Sequence, residues 1–113
     1  MAGSDKLDAF LKMLESGQDG PLLRYSIGLE LLHADRDEEA LPHLRECLAQ
    51  DPSYSAAYKA LAEAQDTLGQ REACRATLAE GIERAEANGD LQAGKEMAVY
   101  RKRLDKGKPL RNR

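Results

Sequence analysis

The sequence predicts an all-α protein, a single stack of antiparallel helix pairs. Apolar residues recur at helical spacing in six successive stretches, each ended by Gly, Pro or a short polar turn. Ala, Leu, Glu and Arg dominate while aromatics are 4%, with no Trp and one Phe, which favours helices over strands. Every connection is short, so consecutive helices run antiparallel as neighbours. A chain of 113 residues builds one hydrophobic core and no more.

The first helix is expected over 4–16. Ser4 can cap it, Leu7, Phe10, Leu11 and Leu14 form its apolar face, and it ends before Gly17. Asp19-Gly20-Pro21 restarts the chain, with Pro tolerated in the first turn. The second helix runs to about His33 and carries Leu22, Leu23, Tyr25, Ile27, Leu29, Leu31 and Leu32 on nearly every side. Such a helix must be buried on more than one face. Residues 35–37 make a turn and cap, and the third helix carries Ala40, Leu41, Leu44, Cys47 and Leu48. It stops at Asp51-Pro52, because the residue before Pro resists the helical region. Ser53 or Ser55 caps a fourth helix with Tyr58, Leu61, Ala62 and Leu68, ended by Gly69. The fifth carries Ala73, Cys74, Leu78 and Ile82 up to the break at Asn88-Gly89-Asp90. A sixth, over 90–104, carries Leu91, Ala93, Met97, Tyr100 and Leu104 before Gly107 and Pro109 release a basic tail, 105–113.

Charge is polarised along the chain. From residue 101 onward Arg101, Lys102, Arg103, Lys106, Lys108, Arg111 and Arg113 face Asp105 alone, a net of +6. Residues 1–100 carry 10 basic and 19 acidic residues, a net of −9. The tail has no Phe or Trp for stacking on bases, and the acidic body repels phosphate. A solvated, frayed terminus is therefore the expectation, or a contact with an acidic body, its own or a neighbour's. Nucleic-acid contact through the tail is the weakest of the functional readings.

Several classes are set aside on pattern. No apolar run approaches the roughly 20 residues that cross a bilayer. The opening Met-Ala-Gly-Ser-Asp resembles neither a signal peptide nor a myristoylation site, so a soluble cytoplasmic protein is expected. Cys47 and Cys74 are too few for a stapled secreted scaffold, lack CxxC spacing, and read as small buried thiols. His33, Asp35, Glu38, Glu39 and His43 suggest metal by type, but the two His are ten apart across a turn. A two-His helix site needs i, i+4 spacing, so a solvated acidic turn at a helix N-terminus explains the cluster. No nucleophile-elbow, P-loop or dinucleotide-binding motif occurs. Neither catalysis nor a cofactor is expected.

Self-similarity at a fixed period is the informative signal, and it lies at 34 residues. Ile27 and Gly28 recur as Leu61 and Ala62, Ala40 and Leu44 as Cys74 and Leu78, and residues 35–40 as 69–74. This pattern resembles the tetratricopeptide repeat, with units over 21–54 and 55–88. The resemblance implies a right-handed α-solenoid of two units flanked by capping helices. Small residues at 28, 62, 40 and 74 then mark close helix crossings, and Leu44 and Leu78 fill the gap between units. Arg24 stands where the family prefers an aromatic, Gln65 where it prefers Tyr, and Glu86 replaces the closing Pro. The whole chain, including its basic final helix, is also similar to small, mostly uncharacterised bacterial proteins of this family.

The resemblance further implies a concave groove that binds a peptide or helix of another protein. Its lining would be Leu22, Tyr25, Leu29, Leu32 and His33 from the first unit and Ala56, Lys59, Glu63 and Asp66 from the second. Steps of three or four put each set on one helix face, giving an apolar strip and a charged one. Leu22, Leu29 and Leu32 have a plainer reading as core beneath an end helix. Some family members grip a C-terminal carboxylate with a paired Lys and Asn. Lys59 matches the Lys, but Glu63 stands in the Asn position and its carboxylate repels that ligand. The expected function is a non-catalytic scaffold or adaptor. Self-association, through an open solenoid end or an exchanged first helix, is the alternative.

Overall fold

The structure, a computed structural model, describes residues 5–111 and the backbone of Ser4. The cap expected from the Ser4 side chain and the charge of Arg113 lie outside the described residues. Six helices succeed one another: α1 (Ser4–Glu15), α2 (Pro21–His33), α3 (Asp37–Gln50), α4 (Ser55–Thr67), α5 (Arg71–Ala87) and α6 (Leu91–Asp105).

The turns repeat with the helices. Asp35 and Gly69, one period apart, both adopt left-handed backbone at φ 59° and 76°. In each case the next N–H bonds back to the last turn, Arg36 to Leu31 O and Gln70 to Gln65 O, both at 2.8 Å. Neither Ser53 nor Ser55 caps α4, whose N-cap is Tyr54. The Asp51 carboxylate accepts from the Ser53 N–H at 3.0 Å instead, closing the turn one step earlier. Asp90 caps α6 by accepting from the Ala93 N–H at 3.2 Å.

Each helix packs on the next, from α1 through α6. Beyond these neighbours α2 touches α4 and α4 touches α6, whereas the backbones of α3 and α5 stay more than 8 Å apart, Cα to Cα, among the described residues. First helices close together and second helices splayed apart bend the stack, so α2, α4 and α6 form the concave side. The last helix lies on α4 as α4 lies on α2. It is thus placed as the first helix of a third unit.

Two apolar clusters fill the stack. Ile27, Leu31, Leu41, Leu44 and Leu61 enclose one, which Leu7 of α1 seals. Tyr58, Cys74, Leu78, Met97 and Leu104 form the other, and Leu48 touches both. The crossings demand small residues. A Cβ on Gly28 would lie 2.5 Å from Leu44 Cδ2. One on Gly81 would lie 2.5 Å from Met97 Sδ and 2.9 Å from Tyr58 Cβ. Gly81 was not picked out by the repeat pattern, because its constraint comes from α4 and α6 together.

Two of the three departures from the family pattern, Gln65 and Arg24, find polar partners. Gln65 is buried and accepts from the Thr77 hydroxyl at 2.7 Å, so its amide is not left bare in the core. Arg24 donates to Asp19 at 2.9 and 3.0 Å, and its Nη1 lies 3.2 Å from His43 Nδ1. Gln50 Nε2 also donates to Asp19, at 3.2 Å. A polar cluster thus occupies the position where an aromatic ring was expected.

The expectation of a frayed tail is corrected. Leu110 is buried in the second cluster, and Arg111 pairs with Asp37. The physical reason is the acidic body: Asp37 pairs with Arg111, and Asp66 accepts from the Leu110 N–H.

Two outcomes test this packing. Replacing Gly81 with Ala overpacks against Tyr58 Cβ, which cannot retreat without moving α4, and should cost roughly 1–3 kcal/mol by urea titration. Gly28→Ala meets only the branched end of Leu44, so its cost should be smaller. Equal or stabilising effects would contradict the close crossing. The second test concerns His43, whose pKa is lowered by burial and then by the Arg24 cation, against a smaller opposing pull from Asp19. The unfolded chain therefore takes up this proton more readily. The stability held by neutral His43 is complete above about pH 6.5 and is lost as pH falls from there through the lower folded value. Asp19 stays ionised across that window because the Arg24 and Gln50 hydrogen bonds hold its carboxyl far below the usual range. Urea midpoints should fall from pH 7 to pH 5, with a slope no steeper than about 1.4 kcal/mol per pH unit for one proton. His43→Gln should flatten that part of the profile.

Candidate functional site

The concave side is built from α2, α4 and α6. Tyr25 and Leu29 of α2 face Ala56, Lys59, Ala60 and Glu63 of α4 across a hollow of about 110 Å³. Five of the expected lining residues (Tyr25, Leu29, Ala56, Lys59 and Glu63) are therefore brought together. The rim toward α6 is polar. Lys59 Nζ donates to Glu96 Oε1 at 2.6 Å and lies 5.8 Å from the centre of the Tyr100 ring. Gln92 donates to the other Glu96 oxygen at 2.9 Å, and the Tyr100 hydroxyl donates to Glu63.

This network sets the electrostatics. The Lys59 and Gln92 hydrogen bonds hold the Glu96 carboxyl below its ordinary pKa. Burial, and then the Glu63 carboxylate, push the Tyr100 phenol up, so it stays a proton donor. One cation faces two carboxylates here, and the rim is net negative. Lys59 is not a bare charge awaiting a ligand carboxylate, since Glu96 already occupies it.

The other four expected residues diverge. Leu32 is 4% exposed and belongs to the first core cluster, a correction with a plain cause: α2 buries two faces. His33 is exposed in the last turn of α2, 3.9 Å from Glu30, and does not line the hollow. Asp66 accepts from the Leu110 N–H at 3.0 Å and so serves the chain end. Leu22 is 66% exposed and lines a second, larger cleft of about 450 Å³ at the α1–α2 corner. That cleft also takes Phe10, Met13, Pro21, Leu23 and Tyr54. The Tyr54 ring is tilted against Tyr25, centroids 5.1 Å apart, so the rings join cleft and hollow.

Met13 and Tyr54 escaped the sequence reading. Met13 lies off the 7/10/11/14 stripe of α1, and Tyr54 sits just ahead of its helix, so neither fell in a periodic pattern. The remaining reactive groups are quiet. Both Cys are fully buried, and burial pushes each thiol up to about 11. Among the described residues no three His, Cys, Asp or Glu converge to hold a metal ion. Nor is any helix among them long and apolar enough to cross a membrane.

Comparison with known proteins agrees with this architecture. A tetratricopeptide repeat family model matches residues 31–97. A TPR repeat-containing protein of Pseudomonas aeruginosa is 38% identical over 102 residues, which cover 90% of this chain and 97% of that protein. The solution structure of a Bordetella parapertussis protein, 35% identical, superposes with a TM-score of 0.80 over 89% of this chain and 88% of its own. With the 34-residue period, its twin turns and the inner contacts of α2, α4 and α6, the chain belongs to the tetratricopeptide repeat family.

Proposed function

We propose that the chain is a non-catalytic adaptor that takes a peptide or helical segment of another protein along its concave side. Repeats of this family generally mediate protein–protein interaction. One observation supports a groove reading for this chain: an apolar cleft and a polar-rimmed hollow are joined through the Tyr25 and Tyr54 rings into one strip. An apolar side chain of the partner would be desolvated over Leu22, Met13 and Tyr54, which supplies affinity. A polar or basic group would then meet the net-negative rim of Lys59, Glu63 and Glu96, which supplies selectivity. A carboxylate would have to displace Glu96 from Lys59 and meet Glu63 beside it, so the carboxylate-clamp mode remains disfavoured.

A second reading is self-association through the open end of the stack. Leu91 and Val99 of α6 are 69% and 55% exposed and lie on one helix face.

Paired variants separate the two. Leu22→Asp alters an exposed side chain, so stability should stay within about 0.5 kcal/mol. Capture of a partner from a cognate lysate should fall at least tenfold, roughly 1.4 kcal/mol of binding. Leu91→Asp should leave capture unchanged. If Leu91→Asp instead abolishes a concentration-dependent doubling of mass by light scattering, while Leu22→Asp changes nothing, self-association replaces the groove reading.

A further inference from the structure

The chain end is held as a ligand is held. Residues 107–111 turn back from α6 and cross the C-terminal end of α4. The Leu110 side chain is 6% exposed and belongs to the second apolar cluster. Its backbone N–H donates to Asp66 Oδ2 at 3.0 Å. The Arg111 Nη2 donates to Thr67 Oγ1 at 2.9 Å and pairs with Asp37, a buried carboxylate in the first turn of α3. One carboxylate reads a main-chain N–H, an apolar pocket reads a Leu side chain, and a second carboxylate reads a guanidinium. None of these contacts depends on covalent attachment to α6.

The strap is tied to α6 by the Lys108 N–H, which donates to Arg103 O at 2.9 Å. Gly107 leaves α6 in left-handed backbone at φ 72°, and Lys108 and Pro109 are exposed. The Arg103 Nε donates to Pro109 O at 2.9 Å, which steadies the bend from the outside. The fill is imperfect. Among the described residues, Arg111 Nε is buried without a hydrogen-bond partner, a donor the site leaves unmet. Beside the anchor the lining is rich in carboxylates: Asp35, Asp37, Glu38 and Glu39 border a depression of about 390 Å³ together with Arg36, Thr67 and Leu68. Arg36 pairs with Glu39 there, and Arg111 with Asp37.

We propose that the Asp37, Asp66 and Thr67 surface is a docking site for an extended segment of another protein that carries an apolar residue followed by arginine. The chain's own Leu110 and Arg111 are its displaceable occupant and must leave before the partner binds. The affinity such a partner shows is then its intrinsic affinity reduced by the fraction of molecules with the strap open. Charge favours this occupant over an acidic one, since residues 1–100 carry a net of −9. The site shares no residue with the cleft or the hollow described above, and it stands whether or not the concave strip binds a partner.

The probe is a labelled synthetic peptide with the sequence of residues 105–113, titrated into the full chain. Leu110→Ser/Arg111→Glu releases the strap, and that variant should bind the peptide at least tenfold more tightly than the wild type. Adding Asp66→Ala should abolish the gain. A peptide that binds both chains equally, or neither, overturns the proposal. Hydrogen exchange on the wild type gives a readout independent of variant folding. The Leu110 amide should exchange at least a hundredfold faster than the Met97 amide in the core of α6. Equal rates would mean that the strap leaves only on global unfolding, and the proposal fails. A wild-type mass that doubles with concentration and reverts in Arg111→Glu would give the site to a second copy, again overturning it.

Discussion

The close approach of paired helices over residues with little or no side chain is the constraint on which the rest of the structure rests. Leu44 lies directly over Gly28, so α2 and α3 can cross at short range and bury Leu44 completely. One period on, Ala62 stands in the place of Gly28, and the Cys74 thiol, in the place of Ala40, donates to the Ala62 carbonyl at 3.3 Å. Gly81 extends the same logic outward by admitting Tyr58 and Met97 to its face. Because packed interiors tolerate almost no overlap, these contacts fix the spacing of every helix in the stack.

Curvature follows from that spacing. Where α2, α4 and α6 meet and α3 and α5 stay apart, the inner helices share one continuous face. Side chains that would point to solvent on an isolated helix are brought opposite one another there. Lys59 finds Glu96 and Glu63 finds Tyr100, each 37 residues away in sequence. The same geometry leaves the α1–α2 corner apolar and open, because α1 covers α2 alone and not the turn before α4.

Electrostatics works on two scales. Over the chain, an acidic body draws in a basic end, and Arg111 reaches Asp37 across 74 residues of sequence. Locally, polar groups at the helix crossings find partners, as buried Gln65 with Thr77 and half-buried Arg24 with Asp19 and His43. The departures at Arg24 and Gln65 are thus exchanges of chemistry, in which a polar contact replaces aromatic packing at one crossing.

Six helices, their antiparallel order and the period of 34 were legible in the sequence, since helical spacing, turn residues and repetition are properties of neighbouring positions. The paired face of Tyr25, Leu29, Ala56, Lys59 and Glu63 was legible too, through steps of three and four. Only the tertiary structure decided which of those residues remained available. Leu32 went to the core, His33 stayed outside the hollow, and Asp66 was taken by the chain end, because burial on a second face and partners dozens of residues away leave no mark in local spacing. For the same reason Tyr54, Met13 and the strap at Leu110 became visible only once α1, α4 and α6 had been set against one another.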